Sequence, residues 1–209
     1  MIRKLFNILT AVLVLSGCAA EIDLASDGVG YLVLDLSCLA DDTKSLQTDP
    51  SDFDIAITGQ QDIFCKCADL PGIIELEPGM YSISASSPGQ EPAAFDQPMF
   101  GGNTSFEIRK GETASVKLIC PMLNMKVTVK PSAAFLSQVS SYTVTVSNGY
   151  GELVWTEADV QDGRAGYFTV APLQVNLTGV SVAGVALSYD GMISEVEASD
   201  HHIISFDSF

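Results

Sequence analysis

The residues best suited to covalent chemistry are the five cysteines of the chain. Cys18 follows Leu15-Ser16-Gly17, and small residues before a cysteine are typical of the site where a lipoprotein leader is cleaved and the thiol receives a diacylglycerol. The basic pair Arg3-Lys4 and the largely apolar stretch 5–15, which is too short to span a bilayer, complete such a leader. The sequence therefore predicts a lipoprotein signal peptide over residues 1–17, lipidation of Cys18 and attachment to a membrane through that lipid.

The other four cysteines are candidates for disulfide bonds, because a lipoprotein is exported to the oxidising cell envelope. They are Cys38, Cys65, Cys67 and Cys120. The Cys65-Lys66-Cys67 spacing puts two thiols on the same face of a strand, where a direct bond between them would be strained. Each of the four is expected either to pair elsewhere, with a connectivity that the sequence leaves open, or to remain a buried free thiol that packs as a small hydrophobe.

The remaining polar residues do not form a catalytic or metal-binding motif. His201 and His202 are the only histidines and lie near the chain end, far in sequence from the cysteines. No G-x-S-x-G, P-loop or G-x-G-x-x-G motif is present. The acidic pairs Asp41-Asp42 and Asp52-x-Asp54 lack an EF-hand loop around them, which favours solvated loop carboxylates. The sequence predicts a non-enzyme with no catalytic residue, no metal and no cofactor.

Composition narrows the function classes further. Of 209 residues, 26 are acidic and 10 are Lys or Arg, so the net charge is −16, and 47% of residues are hydrophobic. A nucleic-acid partner is excluded, because no basic patch is available to displace phosphate counterions. The apolar content is high enough to fill a core, and the length suits one or two small domains.

The elements that must position these residues are strands, because apolar and polar residues alternate with period two. Two short helices are expected at 132–139 and 156–161. Trp155 falls in phase with Leu153, which favours core packing over a sugar-binding role. The expected strands include 32–36, 53–57, 81–85, 105–108, 142–147, 153–155, 168–170 and 175–177. Turn signals between them include Asp49-Pro50, Pro71-Gly72, Pro78-Gly79, Pro88-Gly89, Gly101-Gly102, Lys110-Gly111 and Asn148-Gly149.

The apolar positions change parity at a proline. They fall on even numbers before Pro121 and on odd numbers from Leu123 to Val129. Such a flip indicates two strands, or one strand that changes sheet. We therefore expect a tether over 18–29 and β-sandwiches over 30–121 and 122–209. The apolar end at Phe206 and Phe209 leaves two alternatives: a last strand that completes a sheet, or an incomplete second domain with an open edge.

Two stretches of the sequence resemble a known family. Residues 75–85, with Leu76-Glu77-Pro78-Gly79-Met80-Tyr81, resemble the strand-turn-strand of transthyretin-like sandwich domains. Residues 113–130, with Cys120-Pro121-Met122-Leu123-Asn124-Met125, resemble the strand that links the two domains of fimbrillin-like lipoproteins of Bacteroidales, in a branch catalogued as a domain of unknown function.

The resemblance implies two transthyretin-like antiparallel β-sandwich domains, a lipid anchor at the outer membrane and cell surface, and assembly into pili by strand exchange with other subunits. Fimbrillin stalk subunits are typically cut after an arginine near the first strand, and here no arginine lies between Cys18 and Ser37. The expected role is therefore a fimbrillin-like accessory or anchor component of a pilus. The alternative is a stand-alone surface lipoprotein that binds a glycan or a host protein.

Overall fold

The computed structural model describes residues 28–39, 49–89 and 91–208, and over these residues the chain is built mainly from strands, which confirms the all-β prediction. The first half holds β1 (Gly30–Leu39), β2 (Asp54–Thr58), β3 (Ile63–Lys66), β4 (Ile74–Leu76), β5 (Gly79–Ser86), β6 (Ala93–Phe95), β7 (Gly101–Ile108) and β8 (Thr113–Pro121). The second half holds β9 (Met125–Val129), α1 (Ala133–Gln138), β10 (Val139–Ser147), β11 (Glu152–Trp155), α2 (Glu157–Gln161), β12 (Gly166–Phe168), β13 (Leu173–Ser181), β14 (Ala186–Ile193) and β15 (His201–Ile204). Two 3-10 turns lie at Pro50–Asp52 and Cys67–Asp69. No helix in this part of the chain is long and apolar enough to cross a membrane.

The first sandwich consists of two sheets, with strand orders β4-β1-β8 and β3-β2-β5-β7. Their inner faces share one core, in which Leu32, Ile83 and Leu118 are fully buried. The alternation predicted for β5 is present, since Tyr81, Ile83 and Ala85 are buried while the residues between them are exposed. The Tyr81 hydroxyl donates to the Glu77 carbonyl at 3.0 Å, which ties the tyrosine to the turn that precedes its own strand.

The two sheets come into backbone contact at two glycines. A Cβ atom at Gly30 would meet the carbonyl oxygen of Arg109, and one at Gly102 would meet that of Ile119. The Gly101-Gly102 pair, expected as a turn, therefore lies inside β7, where the absence of a side chain allows β8 to approach. As a consequence β7 and β8 lie against each other and cover one side of the sandwich.

The predicted parity change between β8 and β9 is confirmed. Buried positions are even-numbered in β8 and odd-numbered at the inner face of β9. The change occurs at Asn124, a buried residue whose Oδ1 accepts from the Met99 N–H at 3.0 Å and whose Nδ2 donates to the Gln97 carbonyl at 3.2 Å. Its own carbonyl accepts from the Ser199 N–H at 3.0 Å. Asn124 therefore ties two other segments, residues 97–99 and Ser199, to the point where the chain leaves the first sandwich.

The second sandwich has strand orders β11-β10-β13-β14 and β15-β9-β12-β6. Trp155, Phe135 and Phe168 are fully buried in its core, which confirms the core role predicted for Trp155. Both predicted helices are present. The Ser132 side chain caps α1 by accepting from the Phe135 N–H at 3.1 Å, and Thr156 begins α2 with a capping box.

Among the described strands two pairs are parallel, while the others are antiparallel. One is β1 with β8 and the other is β15 with β9. The two strands of each pair are separated in sequence by most of one half of the chain. This separation provides the long connection that parallel strands require. β15 joins β9 as the edge strand of a sheet, and Phe206 packs against Phe135 with ring centroids 5.7 Å apart. The completeness of the second domain stays a prediction.

One segment of the first half belongs structurally to the second sandwich. Residues 91–96, called the crossing segment below, contain β6, which pairs antiparallel with β12. Ser87 and Phe100, which flank the part of the chain that contains the crossing segment, are hydrogen-bonded to each other. The Ser87 N–H donates to the Phe100 carbonyl at 2.9 Å, and the Ser87 Oγ accepts from the Phe100 N–H at 2.8 Å. The chain therefore passes to the second sandwich twice, and the domain boundary at residues 121 and 122 stays a prediction.

Candidate functional site

The feature best suited to contact a partner is the open edge formed by β14. In its sheet β14 is the terminal strand, and no other described strand pairs with its outer side. Met192 is 68% exposed and Tyr189 is 48% exposed, and the β13–β14 turn adds Val182 at 68% and Val185 at 60%. We call β14 together with the 182–185 turn the β14 edge. It combines free backbone groups with apolar side chains.

The register shows which backbone groups are free. The Ser181 N–H donates to the Val185 carbonyl at 2.8 Å, so these two residues form a hydrogen-bonded pair. Such pairs alternate along an antiparallel ladder, so the backbone groups of Ala186, Ser188, Asp190 and Met192 point away from β13. These four alternate residues present, in a row, backbone N–H and C=O groups that no described strand pairs with, and to which another strand can be added.

The charge that could protect this edge is already engaged. Asp190 is the one charged residue of β14, and its Oδ1 accepts from Asn176 Nδ2 at 2.6 Å. Neither Lys, Arg nor Pro, the residues that commonly block strand addition, occurs in β14.

The other edges of the described sheets are blunted. Those of β4 and β6 are three residues long, and those of β3, β11 and β15 are four. β3 also carries Lys66, which forms an ion pair with Asp54 at 2.7 Å. The long edges of β7 and β8 lie against each other. Among the described strands, β14 is therefore the long edge that lacks protection.

The four candidate disulfide cysteines converge in space. Cys38 and Cys120 are Cα partners in the β1–β8 pair, and Cys65 and Cys67 pack with them against the core of the first sandwich. All four are free thiols in this structure. Burial raises the pKa of all four, and that of Cys120 reaches about 11. Disulfide pairing among them stays a prediction.

The other residues considered from the sequence do not form a site. His201 Nε2 lies 3.0 Å from Thr128 Oγ1, whereas His202 Nε2 is buried without a hydrogen-bond partner among the described residues and lies 3.6 Å from Asp200 Oδ2. Asp54 pairs with Lys66. In the described part of the chain, no three His, Cys, Asp or Glu side chains are grouped so as to hold a metal ion. Cys18 and Asp41-Asp42 lie outside the described residues.

Sequence reasoning did not identify the β14 edge, although a signal was present. After Gly179 the alternation of apolar and polar residues breaks down. In β14 the even-numbered side chains are all exposed and the odd-numbered ones are at most partly buried, so neither face imposes a strong period of two. The weakened alternation after Gly179 is therefore the signal that the sequence offers for this strand.

The sequence profile of a family described as a domain of unknown function (DUF4493) matches residues 28–208. The chain belongs to this family. The DUF4493 match covers both sandwiches and includes the crossing segment, the cysteine cluster and the β14 edge. It agrees with the predicted branch of unknown function.

Similar folds occur among solved structures of Bacteroidales proteins. A proposed cell adhesion protein of Bacteroides thetaiotaomicron matches with a TM-score of 0.47 and 9% identity over 85% of this chain and 92% of the other. A proposed adhesin of Bacteroides ovatus gives 0.45 and 9% over 97% and 99%. The fimbrial anchor protein Mfa2 of Porphyromonas gingivalis gives 0.44 and 8% over 77% and 81%. No curated protein matches the chain significantly. Similarity at this level does not assign a function to the DUF4493 chain.

Proposed function

We propose that this chain is a non-enzymatic lipoprotein of the cell envelope, anchored at the cell surface of the outer membrane. In this proposal it is a fimbrillin-like accessory or anchor component of a pilus, built from two transthyretin-like sandwiches. It contacts other subunits through strand edges and not through side-chain chemistry.

The observation that carries the proposal is the β14 edge. Four outward-facing backbone positions offer main-chain hydrogen bonds to an added strand, and Tyr189 and Met192 offer apolar contacts beside them. In recognition by strand addition, main-chain hydrogen bonds supply affinity and side-chain contacts supply specificity. An edge that lacks Lys, Arg and Pro would be an aggregation hazard unless a partner covers it.

The anchoring role is supported by the sequence. Leu15-Ser16-Gly17-Cys18 predicts a lipid at the N-terminus, and no arginine between Cys18 and Ser37 offers the cleavage that would remove it. A subunit that keeps its lipid stays at the membrane. The net charge of −16 suits a protein that remains dispersed in the envelope.

The first experiment compares unheated and heated membrane fractions of the native host on a denaturing gel, blotted for this chain. Strand-exchanged polymers resist unheated detergent because each added strand completes a neighbour's sheet. We expect a high-mass ladder that collapses to one band on heating. A monomer in both lanes would contradict the pilus proposal and direct the search to a glycan or a host protein.

A matched pair of variants tests whether β14 is the contact. Ser188→Lys places a charge on the open edge, whereas Thr178→Lys places the same charge on its Cα partner in the central strand β13. We expect Ser188→Lys to remove the ladder and Thr178→Lys to retain it. Loss of the ladder in both variants, or in neither, would contradict assembly through the β14 edge.

A further inference from the structure

Four cysteines from distant parts of the chain meet at one end of the first sandwich. Cys38, Cys65 and Cys120 are the next-to-last residues of β1, β3 and β8, and Cys67 lies in the 3-10 turn that follows β3. All four contact the same core. This end is also where the chain passes to the second sandwich, because β5 and β8 both end there.

Two of the pairings that this cluster offers are poor. Cys38 and Cys120 are Cα partners on neighbouring parallel strands, so their side chains point in the same direction and their Cβ atoms are separated by about the strand spacing of roughly 4.8 Å. The Cβ atoms of a disulfide are roughly 3.8 Å apart. Cys120 is also fully buried and its pKa is raised to about 11, so its thiolate is the least available of the four for exchange. Cys65 and Cys67 are separated by an extended Lys66, with φ −77° and ψ 151°, which spreads their Cα atoms to roughly the upper limit for a bridge.

Cys67 is the member of the cluster placed to reach across to the other sheet. Its N–H donates to the Phe53 carbonyl at 2.8 Å, which holds the Cys67–Asp69 turn against the start of β2. That turn contacts the Pro50–Asp52 turn, and the Pro50–Asp52 turn contacts β1, in which Cys38 is the next-to-last residue. Cys67 is also the charged neighbour that raises the pKa of Cys38, after burial. Both thiols are partly exposed.

We propose that Cys38 and Cys67 form a disulfide in the exported protein, linking the β4-β1-β8 sheet to the β3-β2-β5-β7 sheet at the end that faces the second sandwich. The inference rests on the export proposed above. The oxidant is a disulfide-bearing thiol oxidase of the envelope. The Cys67 thiolate attacks one sulfur of that disulfide, which releases one oxidase thiol and leaves a mixed disulfide between Cys67 and the oxidase. The Cys38 thiolate then attacks the Cys67 sulfur of the mixed disulfide and releases the second oxidase thiol. Two protein thiols are oxidised and one external disulfide is reduced to two thiols.

The bridge has two measurable consequences. It closes a loop from residue 38 to residue 67, which restricts the unfolded chain, so oxidation should raise the Tm by roughly 5–10 °C. Burial raises the pKa of both thiols, so fewer thiolates are present at neutral pH. The rate of bridge formation should therefore increase as the pH rises from 7 towards 9.

The test uses the purified full chain carrying Cys18→Ser, which retains only the four clustered thiols. The reduced chain is treated with oxidised glutathione, the remaining thiols are alkylated, and the protein is cleaved after Lys, Arg and Glu. Each cysteine then lies on its own peptide, namely 22–44, 45–66, 67–75 and 118–126. We expect peptides 22–44 and 67–75 to be joined and to separate on reduction.

Matched variants complete the test. Cys38→Ser and Cys67→Ser should each abolish the linkage and the rise in Tm, while Cys65→Ser should keep both. Any other linkage, or four singly alkylated peptides, would overturn the proposal. Because the readout involves neither membranes nor polymers, its failure would leave the pilus proposal standing, and a monomeric gel result would not affect the disulfide.

Discussion

The second sandwich is sealed at one sheet edge and open at another. In the sheet that contains β9 and β12, the crossing segment from the first half is added as the edge strand β6. In the opposing sheet the edge strand β14 has no neighbour among the described strands. The same sandwich therefore shows an edge that has received a strand beside one that has not.

The sealed edge shows what it takes to hold an added strand. Asp96, at the end of the crossing segment, accepts from Arg164 Nε at 3.1 Å, and the Arg164 guanidinium lies 4.1 Å from the centre of the Phe95 ring. Asn148 Nδ2 donates to the Thr169 carbonyl at 3.0 Å and to the Pro92 carbonyl at 3.4 Å. Side-chain contacts at both ends of β6 thus reinforce its three residue pairs with β12. A partner strand at β14 would need comparable side-chain contacts, for which Met192 and the exposed part of Tyr189 are available. The Tyr189 ring also packs edge-on against Phe206, with ring centroids 5.7 Å apart.

The largest effect is expected from Trp155→Ala, which removes the side chain behind the sealed edge. Trp155 is fully buried, packs edge-on against Phe95 at 4.9 Å, and donates from Nε1 to the Arg164 carbonyl at 3.0 Å. Its loss should lower the free energy of unfolding by about 3–5 kcal/mol in urea denaturation. Tyr150→Ala, at an aromatic residue 76% exposed, is the control and should change it by less than about 0.5 kcal/mol. Equal effects would mean that the crossing segment is not held by packing.

A smaller effect is expected from Asn124→Ala at the passage between the sandwiches. The change leaves the Met99 N–H and the Gln97 carbonyl without their partner near a buried site. The free energy of unfolding should fall by about 1–3 kcal/mol. Asn103→Ala, at an exposed position of β7, should leave it nearly unchanged. A neutral Asn124→Ala would show that the Ser199 contact to the Asn124 backbone suffices for this passage.

Features with a local cause were predictable from the sequence. The alternation of Tyr81, Ile83 and Ala85 follows from one buried face of β5, and the change of parity near Pro121 follows from the missing donor. The short helices expected at 132–139 and 156–161 are present, and each begins after a capping residue, Ser132 or Thr156. Each of these needs only a few neighbouring residues to be recognised.

Features that depend on a distant partner were not predictable. β6 has three partly buried residues and no period, and it becomes a strand only because β12 lies beside it. Arg164 is the only Lys or Arg after residue 131, and nothing in the sequence indicates that it pairs with Asp96. Likewise the four cysteines could be counted from the sequence, whereas their convergence requires the β1–β8 pairing.

A further prediction concerns acid and the sealed edge. Hydrogen bonds from Thr156, and then from Arg164, lower the pKa of Asp159 to about 2. A carboxyl whose folded pKa lies below its unfolded value of roughly 3.9 stabilises the fold above that value and loses the contribution as the pH falls to about 2. The difference in unfolding free energy between the parent and Asp159→Asn should be at most about 1 kcal/mol at pH 6, should decrease as the pH falls through about 4, and should vanish below about pH 2. Asp162→Asn, at an exposed neighbour, is the control, and a pH-independent difference would contradict the assignment.

The smallest effect on stability is expected at the open edge. Met192→Ser removes a side chain that is 68% exposed, from a strand that has no described neighbour on its outer side. The free energy of unfolding should therefore change by less than about 0.5 kcal/mol. Val175→Ser, at a buried position of the adjacent strand β13, should cost several times more. If assembly uses the β14 edge, Met192→Ser should still weaken the detergent-resistant ladder, because the apolar contact serves the partner and not the fold. A costly Met192→Ser, in the isolated chain, would instead mean that β14 is covered by the protein itself and that its edge is as sealed as that of β12.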